Sequence, residues 1–265
     1  MATVILVGHG SSRESGAGAP VHAHAATLRA RGGFDAVHAA FWKEPPHVRD
    51  VLASVDDDEL AVVPLFMSCG YFAGSVLPRA LHLERPVTRR GRQRVHYCAP
   101  VGTHPHVPAL VAQLADAAGA GPDSAVVVIG HGTEQDETSE ETTWAAVWAL
   151  RHKGRYGAVA GAFLDERPTI PAVLEGLEAQ RLSRAVLVPL FLAEGEHTTV
   201  SIPEGVARAR RRPARVTCTP PVGILPEVAE LAGELAARAL GRVPLAASKA
   251  APIHAGGASW ASSIS

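Results

Sequence analysis

The sequence contains two copies of one short pattern, "VILVGHGSS" at Val4–Ser12 and "VVVIGHGTE" at Val126–Glu134. Each copy is an apolar run, rich in β-branched residues, that ends in Gly-His-Gly and a hydroxyl side chain. The run predicts a buried strand, and the two glycines predict a tight turn that a ligand can approach closely. Taken alone, the motif fits either a structural turn with a packed histidine or a chemical site built on His9 and His131.

Three further stretches repeat in the same order, which indicates an internal duplication. The spacing between copies changes by only a few residues, as loop insertions would cause. The matched pairs are "AAFWKEPP" (39–46) with "GAFLDERP" (161–168), "AVVPLFMSCGYFAGSVLP" (61–78) with "VLVPLFLAEGEHTTVSIP" (186–203), and "APVGTHPHVPALV" (99–111) with "PPVGILPEVAELA" (220–232).

Within each half, short Val-rich apolar runs alternate with segments of helical length, a pattern typical of parallel sheets covered on both faces. The sequence therefore predicts an α/β fold of two tandem repeated halves, each with a parallel sheet of about four strands and flanking helices. The predicted strands lie near Thr3–Val7, Ala36–Phe41, Leu60–Phe66 and Arg94–Ala99, and near Ala125–Ile129, Ala158–Leu164, Ala185–Phe191 and Arg215–Thr219.

The polar stretch "GAGPDS" (119–124) marks the boundary between the two halves. We expect an N-terminal half at residues 1–120 and a C-terminal half at residues 121–241. From residue 242 the chain is rich in Ala, Ser and Gly without periodicity, so residues 242–265 are expected to form a disordered tail.

The composition excludes several classes of protein. The chain has 265 residues, 47% of them hydrophobic, and its formal net charge is −1, which argues against a general nucleic-acid binder. No run approaches the roughly 18 apolar residues of a membrane span. Cys69, Cys98 and Cys218 are too few and too scattered for a four-cysteine iron–sulfur cluster or a disulfide framework. We expect a cytoplasmic monomer or homodimer without nucleic-acid or membrane partners.

The two halves differ where a ligand would bind. In an open parallel sheet, ligands bind beyond the carboxyl ends of the strands, and each repeated motif follows such an end. After the third strand, the second half has His197 where the first has Phe72. After the second strand, the second half has Asp165 where the first has Lys43.

The C-terminal half is therefore predicted to carry a metal site made of His131, His197, Asp165 and Glu166, with further carboxylates close by at Glu194 and Glu196. Two imidazoles and a carboxylate with an open position suit a borderline divalent ion such as Co²⁺, Fe²⁺, Ni²⁺ or Zn²⁺. The first half retains His9 and Glu44 but lacks the second histidine.

These motifs resemble a known family. "LVGHGS" and "VIGHGT", each followed by F-L/W-x-E-x-P, V-P-L-F-x-x-x-G and P-V-G, are similar to the CbiX-type sirohydrochlorin chelatases over roughly residues 3–240. The resemblance implies a class II chelatase, which inserts Co²⁺ or Fe²⁺ into sirohydrochlorin without ATP, in cobalamin or siroheme biosynthesis. One departure is Ser201-Ile202-Pro203, where the family motif has D-I-P after the second histidine.

In that family two histidines, one from each motif, act as metal ligand and proton acceptor, and here only His131 and His197 satisfy both motifs. The chemistry agrees, because metal insertion removes two N–H protons from the macrocycle and an imidazole can accept a proton near neutral pH. Asp165 or Glu166 is expected either as a third ligand or as the group that fixes a histidine tautomer. His9 is either a relic that shapes its turn or an auxiliary metal-delivery ligand.

Several residues have two open interpretations. Sirohydrochlorin carries eight carboxylates, so "ARARRRPAR" (207–215) and "RRGRQR" (89–94) are either contacts for its rim or solvated surfaces. Tyr71 and Phe72 either stack on the macrocycle or pack within the fold. His104 and His106 in "GTHPH" lack a counterpart in the second half.

The main alternative function is a non-catalytic carrier of metal or tetrapyrrole, since a site that holds both would have the same sequence. A hydrolase built on Ser11 or Thr133 is disfavoured by the absence of a G-x-S-x-G elbow. A dinucleotide-dependent oxidoreductase is disfavoured because no G-x-G-x-x-G follows a strand. The residues do not distinguish cobalt, iron and nickel.

Overall fold

The computed structural model describes residues 2–12, 16–84, 86–133 and 138–242. The predicted disordered tail lies outside the described residues, apart from Arg242. The described residues form two sheets, one from each half of the chain, and the predicted α/β architecture with two repeated parallel sheets is confirmed. Among these residues no helix is long and apolar enough to cross a membrane.

The first sheet has the strand order β2-β1-β3-β5-β4. Its strands are β1 (Ala2–Gly8), β2 (Ala36–Phe41), β3 (Glu59–Pro64), β4 (Val87–Arg90) and β5 (Gln93–Tyr97). The first three and β5 are parallel, as predicted. Strand β4 was not predicted; it pairs antiparallel with β5 through a turn at Gly91 (φ +60°). This edge strand contains arginines rather than a continuous apolar run, because an edge strand need not be buried on both faces.

The second sheet repeats the plan without the antiparallel strand. It contains β6 (Ser124–Gly130), β7 (Ala158–Phe163), β8 (Arg184–Pro189) and β9 (Arg215–Cys218) in the order β7-β6-β8-β9, and all neighbouring pairs are parallel. The four predicted strands of this half are confirmed.

Helices connect the strands and cover the sheets. Those in the described residues are α1 (Ala19–Arg31), α2 (Val48–Ser54), α3 (Leu77–Ala80), α4 (Val107–Ala117), α5 (Thr138–Lys153), α6 (Ile170–Ala179), α7 (Ile202–Arg208) and α8 (Glu227–Ala239). A π-helical turn precedes α3 at Phe72–Val76, and another precedes α7 at His197–Ser201. In α3 and in α7 a proline is the second residue, directly after the π-helical turn.

The central strands are buried along their whole length, which explains their continuous apolar sequence. Every residue of β1 and of β6 is buried. In the first sheet, Ile5 belongs to a core cluster with Leu52 of α2 and Leu77 of α3. In the second, Val127 belongs to a cluster with Leu174 of α6. Because strand side chains alternate between faces, the neighbouring buried residues lie on the opposite face of each sheet.

The compact units do not coincide with the sequence repeats. Among the described residues, the first unit contains residues 2–107, 138–142 and 223–242, and the second contains 108–133 and 143–222. The last helix of each repeat thus belongs mainly to the unit of the other repeat. The division between residues 120 and 121 stays a prediction about the repeat, and packing groups α8 with the first sheet and most of α4 with the second.

Specific contacts tie each of these helices to its unit. In the first unit, Arg31 of α1 forms an ion pair with Glu230 of α8. In the second, the hydroxyl of Tyr156 donates a hydrogen bond to Oδ1 of Asp116 at 2.8 Å, and Arg155 forms an ion pair with the same carboxylate.

Candidate functional site

His131 stands directly after β6, at the carboxyl end of the central strand of the second sheet. The backbone turns there at Gly132, whose φ of +74° lies in the left-handed region that favours glycine. The His131 side chain remains 50% exposed. The strand and its glycine turn therefore present an imidazole to solvent at the edge where ligands bind in parallel sheets.

His197 reaches the same edge from the loop after β8. It is the first residue of the π-helical turn His197–Ser201. Within this turn, the backbone N–H of Thr198 donates to the carbonyl of Gly195, which precedes the turn, at 3.0 Å. The rings of His131 and His197 meet edge to face, with centroids 4.8 Å apart. Phe191 stacks on the other side of His197, with centroids 5.8 Å apart and an interplanar angle of 27°. The structure thus brings together the two histidines that the sequence analysis paired.

Hydrogen bonding fixes the tautomer of His131. Its Nδ1 lies 2.9 Å from the carbonyl oxygen of Gly132 and 3.3 Å from Oδ2 of Asp165. The carbonyl oxygen of Gly132 can only accept a hydrogen bond, so Nδ1 carries the proton and Nε2 has the free lone pair. Asp165 thus lies on the Nδ1 side of His131, away from the free lone pair of Nε2.

The backbone of the loop after β7 holds Asp165 in place. Its N–H donates to the carbonyl of His131 at 3.1 Å, next to a similar bond from Leu164 at 3.0 Å. The Asp165 side chain is 60% exposed. His131 and Asp165 are therefore connected through both backbone and side chains.

Glu166 lies against the glycine turn that follows His131. Its side chain fills the space above Gly132, where an added Cβ would come within 2.5 Å of Cγ of Glu166. Its Oε2 accepts a hydrogen bond from the backbone N–H of Thr133 at 3.1 Å. In the first half, an added Cβ at Gly10 would likewise come within 2.7 Å of Cγ of Glu44. The same contact between a glutamate and the glycine turn is therefore present in both halves, including the half without a second histidine.

The surroundings of His197 favour its neutral form. Partial burial of the ring lowers the pKa of His197 below its usual value of 6.5, and the neighbouring His131 lowers it further. Asp165 and Glu196 oppose this by attracting the protonated ring, but the net direction is downward. A neutral imidazole can bind a divalent ion or accept a proton, so His197 is prepared for both tasks near neutral pH.

The corresponding place in the first half has become an apolar contact. His9 packs edge to face on Phe72, with centroids 5.1 Å apart, and Phe72 also packs against Trp42 and Phe66. Burial lowers the pKa of His9, and the cation of Lys43 lowers it further. Phe72 thus has the packing role that the sequence analysis left open, whereas Tyr71 is 60% exposed.

The other residues singled out from the sequence have varied surroundings. Glu194 and Glu196 are exposed on the loop that carries His197. In the stretch 207–215, Arg208 forms an ion pair with Glu204 in the same helix. In the stretch 89–94, Arg94 forms an ion pair with Glu59, and Arg90 donates to the carbonyl of Leu81 at 2.5 Å. Part of the positive charge in both stretches is therefore matched locally.

A second cluster of possible metal ligands was only partly visible in the sequence. Within the described ranges, the one group of three or more His, Cys, Asp or Glu side chains whose ligand atoms all lie within 4.8 Å of each other is His104, His106 and Glu234. The two histidines stand out in the sequence, whereas Glu234 was not predicted. Glu234 is separated from them by more than 120 positions and has no motif of its own.

Comparison with known proteins gives consistent matches over both halves. A family model described as CbiX matches residues 3–118 and again residues 125–239. A protein of Halobacterium salinarum described as a probable sirohydrochlorin cobaltochelatase is 37% identical over 225 residues, which cover 77% of this chain and 76% of that protein.

Solved structures agree in fold. A Deinococcus radiodurans protein, described as a multi-domain protein with structural similarity to chelatases and two additional domains, superposes with a TM-score of 0.77 at 27% identity. The match covers 89% of this chain and 54% of that one, so this chain spans about half its length. SirB from Bacillus subtilis with Fe³⁺ superposes with a TM-score of 0.76 at 20% identity, over 90% of this chain and 95% of that one.

Proposed function

Since this chain belongs to the CbiX family, we propose that it inserts Co²⁺ or Fe²⁺ into sirohydrochlorin at the C-terminal histidine pair. The observation that carries the proposal is the edge-to-face contact of His131 and His197 at the carboxyl edge of the second sheet. The 37% identical relative from H. salinarum supports the substrate, since it is described as a probable sirohydrochlorin cobaltochelatase.

In the proposed reaction, Nε2 of His131 and the His197 imidazole first hold the divalent ion. Insertion exchanges one M²⁺ for two protons, because the macrocycle gives up two N–H protons as four nitrogens bind the metal. An imidazole nitrogen cannot hold the metal and a proton at once. Each histidine therefore releases the ion to the macrocycle and then accepts one of the displaced protons, which passes on to water.

Asp165 acts as a positioning residue in this scheme. Its carboxylate lies beside Nδ1–H of His131, so it keeps Nε2 unprotonated and stabilises the ring when that nitrogen takes up a proton. Glu166 is proposed to support the reaction indirectly by holding the His131–Gly132–Thr133 turn, because its Oε2 is bonded to the backbone of that turn.

We propose that the reaction needs neither ATP nor an iron–sulfur cluster. Formation of metal–nitrogen bonds and release of two protons supply the driving force. The chain has three cysteines, all free, whereas common clusters use four thiolates. Free thiols also fit the reducing cytoplasm, where we place the protein.

Metal insertion into sirohydrochlorin, followed by visible absorption with Co²⁺ and Fe²⁺ supplied separately, tests the proposal. We expect the intact protein to turn over, His131→Ala and His197→Ala to lose turnover, and His9→Ala to keep most of it. If the intact protein binds sirohydrochlorin but inserts neither metal faster than the uncatalysed reaction, it is a carrier rather than a chelatase.

A further inference from the structure

We propose that His104, His106 and Glu234 form a second metal site, which holds a resident divalent transition ion within the first compact unit. The ligand atoms of the three side chains lie within 4.8 Å of one another. The site shares no residue with the histidine pair described above, and the inference does not depend on the proposed insertion reaction.

The two histidines are fixed by the turn between β5 and α4. The backbone N–H of His104 donates to the carbonyl of Val101 at 3.0 Å, and Val107 N–H donates to the carbonyl of His104 at 2.9 Å. Pro105 restricts the turn further, because its ring fixes one backbone dihedral. The rings of His104 and His106 consequently lie on the same side, with centroids 5.2 Å apart. The turn therefore holds two imidazole rings close to each other.

Glu234 completes the group from α8, which packs in the same compact unit. Its Oε2 lies 3.3 Å from Nε2 of His104. Two ligands about 2.0–2.1 Å from one tetrahedral ion lie roughly 3.4 Å apart, so this pair already has the separation that an ion would impose. The exposed His106 ring needs only to turn toward the pair to act as the third ligand.

Burial also favours an ion at this position. The His104 side chain is fully buried, and its Nε2 faces the carboxylate of Glu234 at 3.3 Å, longer than a normal N–H···O hydrogen bond. A buried polar atom in this state is unusual, and a bound ion would satisfy it. Glu234 is 14% exposed and His106 is exposed, so the group has a closed inner side and an open side through which an ion can enter.

Two local interactions compete with the ion, and both are weak. The backbone N–H of His106 donates to Nδ1 of His104 at 3.2 Å. If His104 binds an ion through Nε2, its ring proton moves to Nδ1, and this long hydrogen bond is lost. Arg238 lies 3.5 Å from Oε2 of Glu234, but its side chain is 57% exposed and can move into solvent. Binding of an ion by His104 and Glu234 therefore replaces one long hydrogen bond and one surface ion pair.

The donor set indicates the class of ion and its role. Two imidazole nitrogens and one carboxylate oxygen suit Zn²⁺ or Co²⁺, with water as the fourth ligand. The ion would join the 104–106 turn to α8, two segments that are far apart in sequence, and so stabilise the packing of the last helix. At the repeat spacing of 121 residues, the equivalent positions are Leu225, Glu227 and Gln113, which include no histidine. One resident ion per chain is therefore expected.

The test uses the full-length His131→Ala/His197→Ala protein, which lacks the other histidine pair. After chelator treatment it is titrated with Zn²⁺ by calorimetry and with Co²⁺ by visible absorption. We expect one equivalent of each ion to bind with micromolar or tighter affinity. At a Zn²⁺ concentration of 100 Kd, the melting temperature should rise by about 5 to 10 °C.

Adding His106→Gln or Glu234→Gln to that protein should weaken binding at least about tenfold and remove the thermal shift. The matched control is His96→Gln, since His96 Nε2 lies 3.0 Å from Oε2 of Glu59 in a histidine–carboxylate pair of the same unit. This control should bind as before. The proposal is overturned if no saturable binding occurs, or if binding persists unchanged in both ligand variants.

Discussion

Replacing His197 with phenylalanine reproduces in the second half the arrangement that the first half already has. His9 packs edge to face on Phe72 at 5.1 Å, and His131 packs edge to face on His197 at 4.8 Å. A phenyl ring therefore fits beside His131 and can keep the stack on Phe191. The variant His197→Phe removes both ring nitrogens of one histidine while leaving the packing in place.

The size of the effect follows from the two roles of that ring. General acid–base groups contribute about 10²–10⁴ in rate, which corresponds to roughly 3–5 kcal/mol of activation free energy. Loss of a metal ligand adds to this, so turnover should fall by at least about 100-fold. His197 is exposed, so the free energy of unfolding should change by no more than about 0.5 kcal/mol, or about 2 °C in melting temperature.

The assay is cobalt insertion into sirohydrochlorin, measured beside thermal unfolding. The matched control is His22→Phe, which changes an exposed histidine whose ring lies 5.0 Å from Phe41. The control should retain its activity. A His197→Phe protein that folds normally and keeps more than about a tenth of the wild-type rate would refute the assignment of His197 as ligand and proton acceptor.

Three further perturbations probe the site and the fold. Asp165→Asn should lower the rate of metal insertion about 10–100-fold. It should also move the acid limb of the pH–rate profile to lower pH, because the Asp165 carboxylate raises the pKa of His197 in the intact protein. An acid limb that does not move would contradict this coupling. Gly132→Ala should lower the melting temperature by several degrees more than Gly154→Ala, since both glycines have positive φ but only Gly132 lacks room for a methyl group. Equal losses of melting temperature would show that crowding at Gly132 is unimportant. Burial lowers the pKa of His24, so near pH 6.5 the unfolded chain binds a proton that the folded chain does not. Denaturant titrations should therefore show the free energy of unfolding falling as pH drops below about 6.5, and falling less steeply in His24→Gln.

Much of the fold could be predicted because its signals are local. The buried run at Ala2–Gly8 and its copy at Ser124–Gly130 are continuous and apolar, and each ends in a glycine turn. Strand β4 escaped prediction because Val87–Arg90 is a short, basic edge strand whose pairing depends on the next strand rather than on burial.

Within the candidate site, the sequence paired His131 with His197 because comparison of the repeats showed where they differ. It could not assign the two carboxylates that follow β7. Asp165 lies beside Nδ1 of His131, whereas Glu166 bonds to the backbone of Thr133, and adjacent residues in one loop point to these different partners. That difference depends on side-chain direction, which spacing does not encode.

The sequence by itself determined the repeat, the parallel strands and the pair of imidazoles at one sheet edge, because periodicity and turn residues act over a few neighbouring positions. Tertiary structure alone decided that α8 packs in the first unit and that Glu234 approaches His104 to 3.3 Å. These contacts join segments more than 120 positions apart. They form because buried apolar faces and buried polar groups each need a partner, wherever in the chain that partner lies.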